Sequence, residues 1–167
     1  MNTAMSSLVS GTSNCIPISM KQLDPKRPDF EPYGFTCECW EPALIPRPDK
    51  HTEVELNYLE QARLTYLLGG ERTTVQSGRP ALFWATTPHP IVKYENVSSY
   101  TVMTLPLPWL LNWALPDNLI KRILSGRLVQ EADSSQSYAD IRYTPARGNA
   151  ADVVASWTGW PRSCSIR

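Results

Sequence analysis

The sequence is poor in charge of either sign and in long apolar runs, and each shortage excludes a class of protein. Charged residues make up 19% of the 167 residues, and 16 Lys and Arg balance 16 Asp and Glu. Without a cationic excess, a polyanion-binding surface spread over the whole chain is not expected. The most apolar stretch, Leu105 to Leu115, is short and broken by two prolines, so no membrane span is predicted. The start of the chain lacks the pattern of a signal peptide, and we expect a soluble, cytoplasmic protein.

Histidine and cysteine are also scarce. The only histidines are His51 and His89, which rules out a three-histidine metal site within one chain. Cys37 and Cys39 would share one face of a strand. Because they have no C-x-x-C partner, we favour two small buried thiols over a metal or redox pair. No G-x-S-x-G, HExxH, GxGxxG or phosphate-binding glycine loop occurs, so no catalytic residue is predicted.

Proline and aromatic residues are abundant, and they favour a mainly β fold. The 15 prolines disfavour a helix bundle, and the six Trp and seven Tyr suit strands. Between Phe35 and Leu105, short strand patterns alternate with turn signals about every ten residues, as in a sandwich or barrel. Gly69-Gly70 predicts a two-residue hairpin turn. Two short helices follow, the second beginning at Pro116 as its first helical residue and ending at Gly126.

The segment from His51 to Glu60 alternates between polar and apolar side chains. Its two faces carry His51, Glu53, Glu55 and Asn57 on one side, and Val54, Leu56 and Tyr58 on the other. If the polar face lines a barrel, His89 could approach it after a turn, giving metal ligands or hydrogen-bond partners for a sugar. Trp84 and Trp40 could then supply an apolar wall. Burial statistics favour the opposite orientation, in which the apolar face fills the core and the polar face is solvated.

Three pieces of sequence together resemble the cupin sensor domain of AraC/XylS-type transcriptional regulators: residues 51–60, 64–70 and 78–89. The first is similar to the family's H-x-[DE]-x-E-[IL]-N strand, and the last to its glycine-opened strand that ends in Pro-His. The resemblance covers about residues 35 to 140. It implies a cupin-like double-stranded β-helix, a jelly-roll barrel, followed by short helices.

The resemblance also implies a site and partners. The implied ligand-binding residues are His51, Glu53, Glu55, Trp84 and His89, and the ligand would be a small polar effector, a sugar or an organic acid. Glu53 stands where metal-binding cupins have their second histidine, which favours a pocket without metal or cofactor. The helices imply a homodimer, and the residues proposed for its contacts are Trp109, Trp113, Ile120 and Leu124. Ala62 occupies a place where the family often has glycine.

Three regions are expected. Residues 1–32 form a loose arm and candidate lid, and residues 33–132 the sensor domain, including helices within about 107–125. Residues 133–167 begin as the family's linking helix, and their composition then changes after about residue 141. We interpret this change as a truncated regulator with a frame-shifted tail, which would contact DNA only through a missing C-terminal domain. Two alternatives stay open. One is a small cupin enzyme, an isomerase or metal-dependent dioxygenase. The other is a stand-alone protein that pairs with full-length regulators through residues 109–124.

Overall fold

The computed structural model describes residues 20–44, 47–113 and 115–130, and it is mainly β, as predicted. Its strands are β1 (Thr36–Trp40), β2 (Val54–Tyr58), β3 (Arg63–Leu68), β4 (Glu71–Gln76), β5 (Ala81–Trp84), β6 (Ile91–Glu95), β7 (Tyr100–Leu105) and β8 (Val129–Gln130). Two helices, α1 (Leu107–Asn112) and α2 (Asp117–Leu124), lie between β7 and β8. Neither of these helices is long and apolar enough to span a bilayer, and they are the only helices in the described part of the chain.

The strands form two antiparallel sheets. One has five strands in the order β1-β7-β2-β5-β8, and the other has three in the order β4-β3-β6. The predicted hairpin at Gly69-Gly70 is confirmed: both residues have positive φ, and the β3–β4 register closes on Leu68 opposite Glu71. Ala62, just before β3, has a φ of 74°. The chain therefore keeps a left-handed turn there although it has alanine, at a cost of about 1–2 kcal/mol.

The five-stranded sheet is covered on both faces. The inner cluster lies between the two sheets and contains Leu59, Leu64, Tyr66, Leu68, Val75, Ala81, Phe83, Ala85, Ile91, Tyr100 and Val102. The outer cluster lies between the sheet and the helices and contains Val54, Leu56, Leu82, Met103, Leu105, Leu110, Leu119, Ile123 and Val129. Each of these large apolar side chains contributes about 1.5–3 kcal/mol by leaving water.

The helices are bounded by proline and glycine. Pro116 is the N-cap of α2 rather than its first helical residue, and Gly126 follows the helix with a φ of 73°. Asp117 in the first turn and Lys121 and Arg122 in the last turn complement the helix dipole. Helix α1 ends at Asn112, and Trp113 is its extended C-cap. Of the two tryptophans proposed for dimer contacts, Trp109 therefore lies in α1 and Trp113 lies just beyond it.

Residues 20–32, part of the predicted loose arm, lie against the sheets in the structure. Lys21 forms a parallel bridge with Trp40 at the free edge of β1, and its backbone N–H donates to Cys39 O over 2.9 Å. The backbone N–H of Phe30 donates to Lys50 O over 2.8 Å. Residues 1–19 of the arm, and the expected linking helix and tail at 133–167, fall outside the described residues.

Gln130 connects the two sheets. It pairs with Ala81 as part of β8, so its backbone belongs to the five-stranded sheet. Its side-chain amide bonds the backbone at the end of β4: Gln76 N–H donates to Oε1 over 3.1 Å, and Nε2 donates to Gln76 O over 2.9 Å. Nε2 also donates to Arg79 O over 3.1 Å.

Candidate functional site

Both faces of β2 are buried. Val54 and Leu56, in the outer cluster, are 0% and 1% exposed. The opposite face points into the space between the sheets and continues the polar alternation. Glu55 and Asn57 lie on this face, and His51 and Glu53 lie just before the strand. We call these four side chains the polar row, and they are at most 6% exposed. The polar residues and the apolar residues of this segment are therefore both buried, on opposite faces. The interpretation in which the polar face is solvated is wrong.

Hydrogen bonds join the polar row into one network. His51 lies between two carboxylates, with Nδ1 3.0 Å from Glu53 Oε2 and Nε2 3.1 Å from Glu55 Oε2. Asn57 Nδ2 donates to Glu55 Oε1 over 3.0 Å, and the hydroxyl of Tyr66 donates to Asn57 Oδ1 over 3.1 Å. Buried carboxylates are tolerable only with such partners, because an unpaired buried charge is costly.

His89 approaches the row from the turn after β5, as predicted. Its Nδ1 lies 2.8 Å from Thr87 O, so Nδ1 carries the proton and donates to that carbonyl. The other ring nitrogen, Nε2, lies 3.6 Å from Glu55 Oε2. The rings of His89 and His51 meet edge to face, with centroids 5.4 Å apart.

The sequence interpretation missed Asp49. This residue lies two positions before His51, in the segment that precedes β2. The hydroxyl of Tyr33 donates to Asp49 Oδ2 over 3.0 Å. Arg27 lies 3.5 Å above the Tyr33 ring and has Nη1 3.8 Å from Asp49 Oδ1. Through these contacts the segment before β1 is therefore bound to Asp49, next to the polar row.

A cavity with a volume of about 40 Å³ opens beside the row. Its polar lining includes Asp49, Glu55 and His89, and its aromatic lining is Tyr33, Trp40, Tyr66 and Tyr100. The indole Nε1 of Trp40 is buried and has no hydrogen-bond partner among the described residues. Trp40 thus lines the cavity and also packs against the inner cluster.

Trp84 lies away from this group. It pairs with Val54 across β2 and β5 and packs against the outer cluster, so it faces the helices. Its indole Nε1 donates to Thr52 O over 3.2 Å. The structure therefore brings together four of the five predicted ligand-binding residues and leaves Trp84 on the opposite side of the sheet.

The electrostatics of the row follow from burial and pairing. Burial lowers the pKa of His51, but hydrogen bonds and charge from Glu55, with Asp49 and Glu53 nearby, outweigh it and raise the pKa above its ordinary value. Burial raises the pKa of Glu55, yet the two histidines and Asn57 bring it below its ordinary value. The pKa of His89 is lowered, mainly by burial. The pKa values of the two histidines are therefore shifted in opposite directions.

The four residues predicted for dimer contacts are differently placed. Trp109 is 41% exposed and stacks on Phe35, with ring centroids 5.4 Å apart. Trp113 and Ile120 pack against the outer cluster, and Leu124 is partly buried. The neighbouring Leu111, absent from the predicted set, is 50% exposed.

Comparison with known proteins gives one kind of relative. The chain is 28% identical over 95 residues to the melibiose operon regulatory protein of Escherichia coli K12, and equally to that of Escherichia coli O6:H1. The matched part is 57% of this chain and 32% of each relative, so the chain spans about a third of their length. No family model matches the chain, and no solved structure matches it. The similarity supports, at a coarse level, an AraC-type regulator.

Proposed function

We propose that the described residues are the effector-sensing part of a transcriptional regulator and that the effector is a neutral sugar. The observation that carries the proposal is the buried polar row beside an aromatic-lined cavity. Sites for small polar ligands combine an apolar or aromatic lining with a few fixed polar groups. The name of the melibiose operon regulatory protein points to the same ligand class.

Charge decides between the two effector classes expected from the sequence. Three carboxylates, those of Asp49, Glu53 and Glu55, lie within the network, beside His51 and the guanidinium of Arg27. An organic acid would add another anion to a space where like charges repel strongly. A neutral sugar instead offers hydroxyl donors to the carboxylates and C–H faces to the aromatic rings. The proposal therefore favours a sugar over an organic acid.

The small volume of the cavity connects ligand entry with the segment before β1. One water needs roughly 10–15 Å³ of such space, so the cavity of about 40 Å³ holds a few waters and is too small for a sugar. Leu23 and Tyr33 form part of its wall, and both belong to the segment before β1. In the proposal a sugar enters by displacing this segment, and the protein has a segment-closed and a segment-open arrangement. Unequal affinity of the sugar for the two arrangements then changes the regulatory output.

The remaining parts of the proposal concern architecture and partners. We assign the two sheets to a cupin-like double-stranded β-helix, because the polar row lies in the space between them. A homodimer would use the exposed apolar surface of α1 around Trp109 and Leu111. Contact with DNA is assigned to a region other than the described residues.

The experiment uses sugars and their matched acids. Thermal unfolding of the full chain is followed with glucose against glucuronate, galactose against galacturonate, and with melibiose. A true effector at about 100 times its dissociation constant adds about 2.7 kcal/mol to the free energy of unfolding. We expect the stabilising ligand to be a neutral sugar, with its uronate much weaker.

Two variants locate the binding. Glu55→Gln removes a carboxylate from the cavity wall and should abolish the stabilisation. Glu95→Gln makes the same chemical change at a carboxylate whose side chain is 47% exposed and paired with Lys93, so it should leave the stabilisation unchanged. Preferential binding of the uronates, or equal responses of the two variants, would contradict the proposal.

A further inference from the structure

A second cavity, with a volume of about 140 Å³, lies against the outer face of the five-stranded sheet. It is distinct from the cavity beside the polar row, since Tyr100 is the one described residue that lines both. We propose that this second cavity binds one ring of an uncharged polyol, a cyclitol or a monosaccharide. The site goes beyond effector sensing and does not depend on where the effector binds.

The floor of the second cavity follows from strand register. On the outer face, Met103 of β7 lies opposite Cys37 of β1 and Leu56 of β2, and this row packs into the outer cluster. Two residues further along, the next row on the same face is Cys39, Thr101 and Tyr58. These three side chains line the second cavity, and no described residue of α1 or α2 does. The outer face thus changes from an apolar row under the helices to a row with hydroxyl and thiol groups beyond them.

Two loops form the rim of the second cavity. The loop between β2 and β3 contributes Glu60 and Gln61, and the loop between β6 and β7 contributes residues 96–99. Each loop contains a non-glycine residue in the left-handed region, Ala62 with a φ of 74° and Asn96 with a φ of 54°. Such conformations persist only where the surrounding structure fixes them, and they cluster at ligand sites. The shape of the rim is therefore set by the backbone as well as by side chains.

The lining groups match hydroxyls better than ions. Six lining side chains carry groups that both donate and accept hydrogen bonds, as the hydroxyls of a polyol do: Tyr58, Gln61, Asn96, Ser98, Ser99 and Thr101. The described lining contains one carboxylate, Glu60, and no Lys or Arg, so an anion would be repelled without a cationic partner. A cation would find only that exposed carboxylate, and exposed ion pairs contribute little.

The volume sets the size of the ligand. An engineered protein cavity of about 150 Å³ holds one benzene molecule. The second cavity, at about 140 Å³, therefore accommodates a six-membered ring. The ring of Tyr58 and the side chain of Val97 offer apolar surface to the C–H groups of such a ligand. A ring can thus enter here without displacing the segment before β1.

The test uses Cys39 as a reporter, because its half-buried side chain lies in the lining. The full chain is treated with iodoacetamide, with and without myo-inositol or glucose, and mass spectrometry follows the alkylation of each cysteine. A probe at about ten times its dissociation constant should slow the alkylation of Cys39 about tenfold. Cys37 is the internal comparison. Burial raises the pKa of Cys37 to about 11, so its alkylation should be slow with or without the probe.

Two variants remove polar groups from the second cavity, and a third is the matched control. Thr101→Val removes a hydroxyl from the floor, and Asn96→Gly removes an amide from the rim while tolerating positive φ. Each should weaken probe binding at least about fivefold. Thr73→Val makes the first change at a half-buried threonine of β4 outside both linings, and it should leave binding unchanged. Circular dichroism checks folding, and if a variant unfolds, the protection of Cys39 in the unsubstituted chain decides.

Four results would overturn the second site. They are no alkylation of Cys39 in the free chain, no protection by either probe, protection that Thr101→Val and Asn96→Gly leave unchanged, and protection that Glu55→Gln abolishes. Effector sensing is read separately, from thermal stabilisation that depends on Glu55. Protection of Cys39 without that stabilisation would support the second site alone. Stabilisation that Glu55→Gln abolishes, without protection of Cys39, would support effector sensing alone.

Discussion

Leu56 and Glu55 are neighbours in β2, at 1% and 6% exposed, yet they face two differently built regions. Leu56 belongs to the outer cluster, where the buried side chains are all apolar. Glu55 belongs to the inner side, where a polar row lies beside the apolar cluster and needs every one of its hydrogen bonds. The outer face is stabilised by apolar burial, whereas the inner face also holds buried polar groups that depend on hydrogen bonds.

The largest effect is expected on the outer face. Leu56→Ala should lower the free energy of unfolding by about 3–5 kcal/mol, because it removes a fully buried side chain and leaves a cavity. Denaturant unfolding measures the loss. Leu44→Ala is the matched control, since Leu44 is 62% exposed and should change stability by less than about 0.5 kcal/mol. A loss below about 1 kcal/mol for Leu56→Ala would show that the helices do not cover this face.

The next effect concerns the junction between the two regions. A Cβ on Gly126 would overlap Thr87 Oγ1, and Thr87 O accepts the hydrogen bond from His89. Gly126→Ala should cost about 2–4 kcal/mol from backbone strain and overlap together. Gly78→Ala isolates the strain, because Gly78 has the same φ of 73° and nothing within 4 Å of its Cβ position. Equal losses for the two variants would argue against close contact between α2 and the turn at Thr87.

A smaller loss is expected on the inner face. Glu55→Gln should reduce the free energy of unfolding by about 1–3 kcal/mol, since it keeps the shape but weakens hydrogen bonds to His51 and Asn57. Chemical unfolding near neutral pH measures it, with Glu95→Gln as the control. A loss as large as that of Leu56→Ala would mean that the polar row contributes as much to stability as the outer cluster. The contrast between the two faces of β2 would then be contradicted.

The two histidines should titrate on opposite sides of the ordinary value. Hydrogen bonds and charge from Glu55 raise the pKa of His51 above 6.5 against the effect of burial, and burial lowers the pKa of His89 below 6.5. His51 thus contributes stability that is present below pH 6.5 and lost as the pH rises through its folded pKa. His89, buried and neutral, costs stability as the pH falls below 6.5. Because the chain has two histidines, NMR gives two titration curves, and curves that coincide would contradict the described network.

The smallest effect on the folded chain is expected at α1. Trp109→Ser should change the free energy of unfolding by about 1 kcal/mol or less, because 41% of the residue is exposed and its main contact is the stack with Phe35. If α1 forms the proposed dimer contact, the variant should dissociate at higher protein concentration in sedimentation measurements. A monomeric unsubstituted chain, or an unchanged dimer in the variant, would remove this surface from the proposal.

The sequence predicted the strands well because their turn signals are local. β3 and β4 are joined by the predicted turn at Gly69-Gly70. Alternation along β2 also grouped the polar row correctly. It did not show which face is buried, because pattern rules assume one solvated face and both faces of β2 are covered.

The errors in the candidate site have a common cause. Trp84 was assigned to the ligand pocket by residue type, whereas its register opposite Val54 places it on the outer face. Asp49 was missed because the polar pattern was followed only from His51 onward. The position of Trp84 depends on pairing between segments about thirty residues apart, and the role of Asp49 depends on its contacts with Tyr33 and Arg27. Single-sequence periodicity contains neither.

Gln130 has a mechanical consequence. Its backbone is bonded to β5 and its side chain to the end of β4, so the last described residue is attached to both sheets at once. A force applied to the chain after Gln130 would be shared between the two sheets, because the hydrogen bonds to both sheets would have to break together. Conversely, a displacement of one sheet relative to the other would be transmitted to the backbone at Gln130.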